Sequence, residues 1–427
     1  MSQTCTDIAV VGAGVAGLAA AAALAEAGFK VALVHRGPPL AELAAAVPGG
    51  PFDPRVYAIS PESEQLLADV GAWPSLVQAR IAPVYDMRVF PRGGLRPGHA
   101  DELHLSAYDA RADLLASIVE QDNLIHALAQ AMPRKVREVI GNLQTLTWAG
   151  DGRALIVELA DGQRIRASLV VGADGARSQV RAQAGIAQQG AAYDHHAVVA
   201  HLRGQRGHRD TAWQWFGEHG VLALLPLPDA ADPDVPGPDA VSGRMVSMVW
   251  STTQERAQAL VNAGQQALGD AISGVAGDLL GPLRAVSAPL AFPLARRWAV
   301  SPIGDRVVLV GDAAHVMHPL AGQGLNVGLG DVASLARVLG EARAQFDGSG
   351  FDPGQPLLLR RHKRRRVEPV GSMLALTDAL KRVFGAELGQ PAGLPIRAIR
   401  DLGWRLCASR ALLRRQLTRV ATRSRRS

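Results

Sequence analysis

Gly12, Gly14 and Gly17 lie between two apolar runs, and that placement restricts the fold more than any other feature of the 427-residue chain. Asp7 to Val11 reads as a short strand, Leu18 to Ala27 as an alanine-rich helix, and Lys30 to His35 as a second strand. Strand, glycine turn, helix and strand make a βαβ unit with G-x-G-x-x-G in its first turn. The first glycine permits the tight turn, the second lets backbone approach a pyrophosphate, and the third lets helix and strand pack closely. Ile8 to Ala25 carries no charge, so a signal peptide or a membrane span competes with this reading. The only charge ahead of Ile8 is Asp7, whereas a secretory signal needs basic residues there. The run is also short for a span, and neither alternative explains the glycine spacing.

One position departs from the usual pattern. The second strand of such a unit normally ends in Asp or Glu, which binds the adenosine ribose hydroxyls. Here His35 stands at that place, followed by Arg36. Histidine can hydrogen-bond a hydroxyl, but without the strength of a carboxylate. A basic pair also suits a 2′-phosphate, which would place NADP rather than FAD in this first site. Both readings stay open at this point.

Two later segments repeat the theme of a buried strand ending in Gly and Asp. Val307 to Val310 is a continuous apolar run, as in a parallel strand covered on both faces. Gly311 and Asp312 follow at its carboxyl end, where open α/β sheets bind ligands. Gly322, Gln323, Gly324, Leu325 and Asn326 then supply a flexible backbone opening a helix, with exposed N–H groups at its start. The other segment is Leu169 to Arg181, where the strand ends in Gly172, Asp174 and Gly175 follow, and Ser178 and Arg181 lie on the next helix. A plain strand-to-helix turn capped by Asp174 explains that segment equally well.

Together these segments resemble the class A flavoprotein monooxygenases, and within them the ubiquinone-biosynthesis hydroxylases that act on polyprenyl phenols. The likeness runs from Asp7 to about Ala386. It is carried by Asp53-Pro54-Arg55-Val56 with Ala58-Ile59-Ser60, Ile118-Val119-Glu120-Gln121, Thr211-Ala212-Trp213-Gln214 with Phe216, Leu224-Leu225-Pro226-Leu227 and Val249-Trp250-Ser251. Phe292-Pro293-Leu294 and the run His318-Pro319-Leu320-Ala321-Gly322-Gln323-Gly324 complete it. His35 departs from the family pattern, as does Gln121, where the family often has Asn.

The resemblance implies an α/β fold in which an FAD-binding Rossmann-type domain interleaves with a mostly β substrate domain, followed by C-terminal helices. Residues 1–75, 100–182 and 285–345 would form the FAD domain, 76–99 and 183–284 the substrate domain, and 346–427 a helical segment with a basic tail. Gly12, Gly14, Gly17 and Arg55 would hold the pyrophosphate, with His35 and Arg36 near the adenosine. Gln121, Asp174 and Gly175 would touch the cofactor. Gly311 and Asp312 would bind ribityl hydroxyls, and Gly322 to Asn326 would line the isoalloxazine edge, where a helix amino terminus stabilises negative charge. His318 and Pro319 would lie beside the flavin. NADPH or NADH would act as transient reductant, and O₂ would give a C4a-hydroperoxide that hydroxylates the phenol ring. A hydroxylase of a soluble aromatic metabolite and a non-catalytic flavin-holding subunit are the alternatives.

No metal is expected. His315 and His318 are three apart, but no Cys or carboxylate cluster joins them. Cys5 and Cys407 sit at opposite ends of the chain and form no disulfide framework, which suits a reducing cytoplasm. The carboxyl-terminal stretch has its own character. Arg397 to Ser427 holds ten Arg and one acidic residue, Asp401, a net charge of +9 in a chain of net +6. Leu402, Leu406, Leu413, Leu417 and Val420 share one helical face. Such a helix suits an anionic membrane surface or a quinone-biosynthesis complex, and packing on the protein's own body is the simpler alternative. Nucleic acid is not an expected partner.

Overall fold

The computed structural model describes residues 3–47, 50–217, 220–229, 243–317, 324–346 and 350–385. Side chains at 3, 192–194 and 374–385 are not described. The Gly-rich run 318–323, residues 230–242 and the whole basic tail lie outside the described residues.

The first sheet has eight strands. At its heart Val307–Leu309, Arg164–Gly172, Gln3–Val11, Val31–His35 and Arg137–Ile140 run parallel, in that order. Their inward residues are aliphatic and β-branched because both faces are covered. The helix Val15–Glu26 buries ten of its 12 residues. A helix apolar all round must be enclosed, and alanine is small enough to let the sheet and two helices, Gln121–Gln130 and Gly324–Ala344, close around it. Val11 pairs with Gly172, and Gly172 with Leu309. The three expected ligand-binding turns therefore leave the sheet side by side at its carboxyl edge.

The second sheet has nine strands and is antiparallel except where Thr211–Gly217 runs parallel to Asp86–Phe90. One face is packed by Trp215 stacked on Phe90, with Trp250, Met248, Leu222 and Leu224, under the helices Gln254–Asn262 and Gln265–Ala276. On the other face Ala212, Met245 and Leu225 meet Val84 and Ile118 from a three-stranded sheet of Val56–Ile59, Ala116–Glu120 and Ala82–Val84. That small sheet ties the two large ones together.

Strand positions agree with the sequence reading, but several partners differ from the expected division at 76–99, 100–182 and 285–345. Leu103–Ser106 pairs with Asp86–Phe90, and Leu290–Ala299 and His315–Val316 belong to the second sheet. Ala82–Val84 pairs with Ala116–Glu120 instead. Alternation of side chains reveals a strand but not the neighbour it pairs with, because that contact is distant in sequence.

Candidate cofactor site

The glycine turn is built by sterics. Gly12 has φ of 114°, and a Cβ on it would lie 2.4 Å from the Ala173 carbonyl oxygen. A Cβ on Gly17 would lie 1.9 Å from the Gly12 oxygen. Gly14 differs: a Cβ there would meet no atom within 4 Å. It is exposed, and it caps the buried helix Val15–Glu26 with no side-chain hydrogen bond. Packing does not demand glycine at this position. Bare backbone at the start of a helix, with unsatisfied N–H groups and a positive dipole end, is the cradle a pyrophosphate needs.

Gly311, with φ of 58°, is squeezed against this turn. A Cβ on it would lie 3.2 Å from the Ala16 Cβ, and one on Gly328 would lie 2.9 Å from the Gly311 Cα. The next residue, Asp312, is thus delivered beside the glycine turn. Asp312 is exposed, yet burial among surrounding atoms pushes its carboxyl above the usual range, with His315 and Arg55 pulling it back. Those observations agree when the carboxylate projects into a deep recess rather than from a convex surface. Among the described residues it accepts no hydrogen bond.

Arg55 and Gln121 come to the same recess through a knitted turn. Asp53 accepts from the N–H groups of Arg55 (2.9 Å) and Asp122 (3.1 Å), and its own N–H donates to Glu120 (2.7 Å). The Gln121 N–H donates to the Arg55 carbonyl at 3.0 Å. The Arg55 guanidinium lies 4.9 Å over the ring of Phe292, a residue of the second sheet. Tyr57 donates its hydroxyl to Gln121 Oε1 at 3.0 Å. Burial, with Asp312 and Asp53 adding to it against Arg55, pushes the Tyr57 phenol up to about 12, so it stays neutral and keeps its donor. Tyr57 was not singled out in the sequence, although it stands between two of the quoted family marks.

Asp174 does something simpler. Its Oδ1 accepts from Ser178 Oγ at 2.5 Å, and its Oδ2 from the N–H groups of Gln179 (2.6 Å) and Val180 (3.1 Å). The carboxylate caps the Gln179–Gln183 helix, which is the plain alternative weighed above. Gly175, at φ of 80°, makes the turn. Arg181 is the unforeseen part: it donates to the carbonyls of Ala313 (2.9 Å) and Ala176 (3.1 Å), clamping this loop to the Asp312 loop.

His315 is not placed as a metal ligand. Its Nε2 lies 2.7 Å from Asp331 Oδ2, which also accepts from the Gly311 N–H at 3.2 Å. Asp331 Oδ1 accepts from Arg366 Nε at 2.7 Å, and Arg366 donates to the Val327 carbonyl. All three side chains are buried. This charged web pins the Gly311–Asp312 loop to two helices, Gly324–Ala344 and Pro356–Gly385.

At the end of the second strand both ring nitrogens of His35 are engaged. Nδ1 accepts from the Gly37 N–H at 3.2 Å, and Nε2 lies 2.9 Å from Glu138 Oε1. A carboxylate that close makes the place hostile to a 2′-phosphate, so the NADP alternative for this site fails and an adenosine diphosphate group of the FAD type fits. Arg36 is exposed beside it. Gly324 and Leu325 open the Gly324–Ala344 helix as expected. The Asn326 carboxamide accepts from the Ser60 N–H (2.9 Å) and donates to the Ala58 carbonyl (2.7 Å), holding that helix to the Val56–Ile59 strand. His318, Pro319, Gly322 and Gln323 lie outside the described residues.

Comparison with known proteins shows the family. Residues 5–350 match the family described as FAD binding domain. The 3-demethoxyubiquinol 3-hydroxylase of Escherichia coli is 34% identical over 426 residues, covering 99% of both chains. Ubiquinone hydroxylase UbiL of Rhodospirillum rubrum is 33% identical over 398 residues, covering 93% of this chain and 85% of its own. The crystal structure of p-nitrophenol 4-monooxygenase PnpA from Pseudomonas putida superposes with a TM-score of 0.72 at 16% identity over the whole of both chains, a likeness of fold. With its glycine turn, its Asp312 recess and a match spanning most of its length, this chain belongs to the FAD-binding-domain family.

Proposed function

We propose that this protein is an FAD-dependent monooxygenase that hydroxylates the aromatic ring of a polyprenyl phenol in ubiquinone biosynthesis, with NADPH or NADH and O₂ as co-substrates. The observation that carries the reading is the convergence of the Gly14 cradle, Arg55 and Asp312 on one recess, in a chain similar over nearly its full length to ubiquinone hydroxylases. FAD, when bound, supplies hydride acceptance and oxygen activation. The chain's own part is binding and placement. Gly12, Gly14 and Gly17 and the helix start behind them hold the pyrophosphate, and Arg55 neutralises it. Asp312 accepts from ribityl hydroxyls. Tyr57 offers a neutral hydroxyl at the same recess. Gly324 and Leu325 present helix-start amides to the isoalloxazine edge. Phe292 of the second sheet, under the Arg55 guanidinium, is the apolar group that would exclude water and orient the ring.

Attachment to an anionic membrane is part of the same proposal, because a polyprenyl substrate resides in the bilayer. Its support is the +9 charge of Arg397–Ser427 and the exposed Leu357, Arg360, Arg364 and Val367 along the helix before it. No helix of the described residues is long and apolar enough to cross a membrane. The full-length protein is expected to sediment with vesicles containing anionic phospholipid and to be released by salt, while a protein ending at residue 396 stays in solution. Equal sedimentation of both would remove the tail from the proposal.

The test of activity is direct. The purified protein is expected to be yellow and to oxidise NADPH or NADH faster when a short-chain prenyl phenol is added, with one oxygen atom entering the ring. A strain lacking the protein is expected to accumulate the unhydroxylated quinone precursor. Stimulation by a soluble aromatic metabolite alone would favour the first alternative, and a flavin-loaded protein that oxidises no reduced nicotinamide would favour the scaffold.

A further inference from the structure

The second strand lacks the carboxylate that usually binds the adenosine ribose, and the structure shows where an equivalent one stands. Glu138 lies on the neighbouring parallel strand, Arg137–Ile140, in register with Leu33, two residues before the strand end. Its side chain runs up alongside His35, and Oε1 accepts from both His35 Nε2 (2.9 Å) and the Leu40 N–H (2.8 Å). The tautomer follows from the partners. Gly37 N–H donates to Nδ1, so the proton sits on Nε2 and points at Glu138. With both nitrogens occupied, the 7%-exposed His35 has nothing left to offer a hydroxyl. The Glu138 side chain is 31% exposed, and its second oxygen, Oε2, has no partner among the described residues.

We propose that Glu138, held in place by His35, is the residue that binds the ribose hydroxyls of the FAD adenosine: the acidic reader has moved from the second strand to its neighbour. His35 is then a positioning residue that fixes one carboxylate oxygen and turns the other toward the ligand. The Leu40 amide does the same from the loop above. This rests on the FAD-binding reading above, and it explains how a chain with histidine at the ribose position keeps a site for an adenosine group without a 2′-phosphate. The assignment concerns the adenosine half of the cofactor alone, because Asp312 would serve the ribityl chain instead.

Titration of the full-length protein, stripped of flavin, with FAD and separately with FMN tests the assignment, since FMN lacks the adenosine. The wild-type protein is expected to bind FAD; failure there would overturn the FAD reading itself and is a distinct result. Glu138→Gln is expected to weaken FAD at least ten-fold, by quenching of flavin fluorescence, and to leave FMN within two-fold. Placing the acid back on the second strand in the double variant His35→Glu with Glu138→Gln is expected to recover most of the FAD affinity. Unchanged FAD binding in Glu138→Gln overturns the proposal, as does an equal loss for FMN and FAD, or a double variant no better than the single one.

Discussion

Asp331→Ala is expected to lower the unfolding free energy by about 3–5 kcal/mol at pH 7, because it strips the shared partner from two buried cations. Asp331 is 3% exposed and accepts three hydrogen bonds, from His315, Arg366 and the Gly311 amide. Burial pushes its carboxyl up, but His315, Arg366 and His362 together outweigh that and hold it at about 2. Burial likewise opposes the charge on His315, and Asp331 overcomes it and raises the imidazole above its ordinary 6.5. The two shifts set a pH window. A depressed carboxylate stabilises the fold above its ordinary 3.8, and that contribution is lost as pH falls toward about 2. A raised histidine stabilises the fold below 6.5, and its contribution is lost as pH climbs through the raised value. The stability difference between wild type and Asp331→Ala should therefore be greatest between about pH 4 and 6.5 and shrink on both sides. Burial holds His362 down at about 4 against the opposing pull of Asp331, so losing Asp331 deepens that cost in the variant and adds to the difference as pH drops from 6.5 toward 4. Urea unfolding of both proteins from pH 3 to 9 measures the curve. A difference below about 1 kcal/mol at pH 7, or one that does not vary with pH, would mean the web carries no net charge coupling.

The parts of this site that were legible in the sequence are those that sterics or local periodicity dictate. Gly12 and Gly17 could be placed because a side chain would strike backbone at either position. The strand ends at Val11, Gly172 and Leu309 could be aligned because parallel strands read as unbroken apolar runs. Asp312 followed from the last of these. What stayed hidden involves partners far apart in the chain. Glu138 is 103 residues from His35, and Arg366 is 35 from Asp331. No pattern in the neighbouring residues marks such pairs. For the same reason Asp174 and Asp312 look alike in sequence, each an aspartate after a strand-ending glycine. Only the structure separates them, one carboxylate turned back on its own loop and the other facing the recess. The strand partners of Leu103–Ser106 and Leu290–Ala299 were missed on the same grounds.

That separation sets up the other large effect. Asp312→Ala is expected to weaken FAD binding by about 10- to 100-fold, from the loss of roughly 1.5–3 kcal/mol of charge-assisted hydrogen bonding to ribityl hydroxyls. It should leave the stability of the flavin-free protein nearly unchanged, because among the described residues the Asp312 carboxylate accepts no hydrogen bond that folding would lose. Asp174→Ala should do the reverse. It removes acceptors from Ser178, Gln179 and Val180, so it should cost the flavin-free protein about 0.5–2 kcal/mol as a lost helix cap. The pair of variants distinguishes a ligand-facing carboxylate from a structural one without relying on turnover. Flavin content after gel filtration, together with thermal melts of the stripped proteins, gives both readings on one preparation. An Asp312→Ala protein that retains full flavin occupancy and wild-type affinity would place the cofactor elsewhere. In that case the closeness of Gly311 to Ala16 would be a matter of helix packing alone.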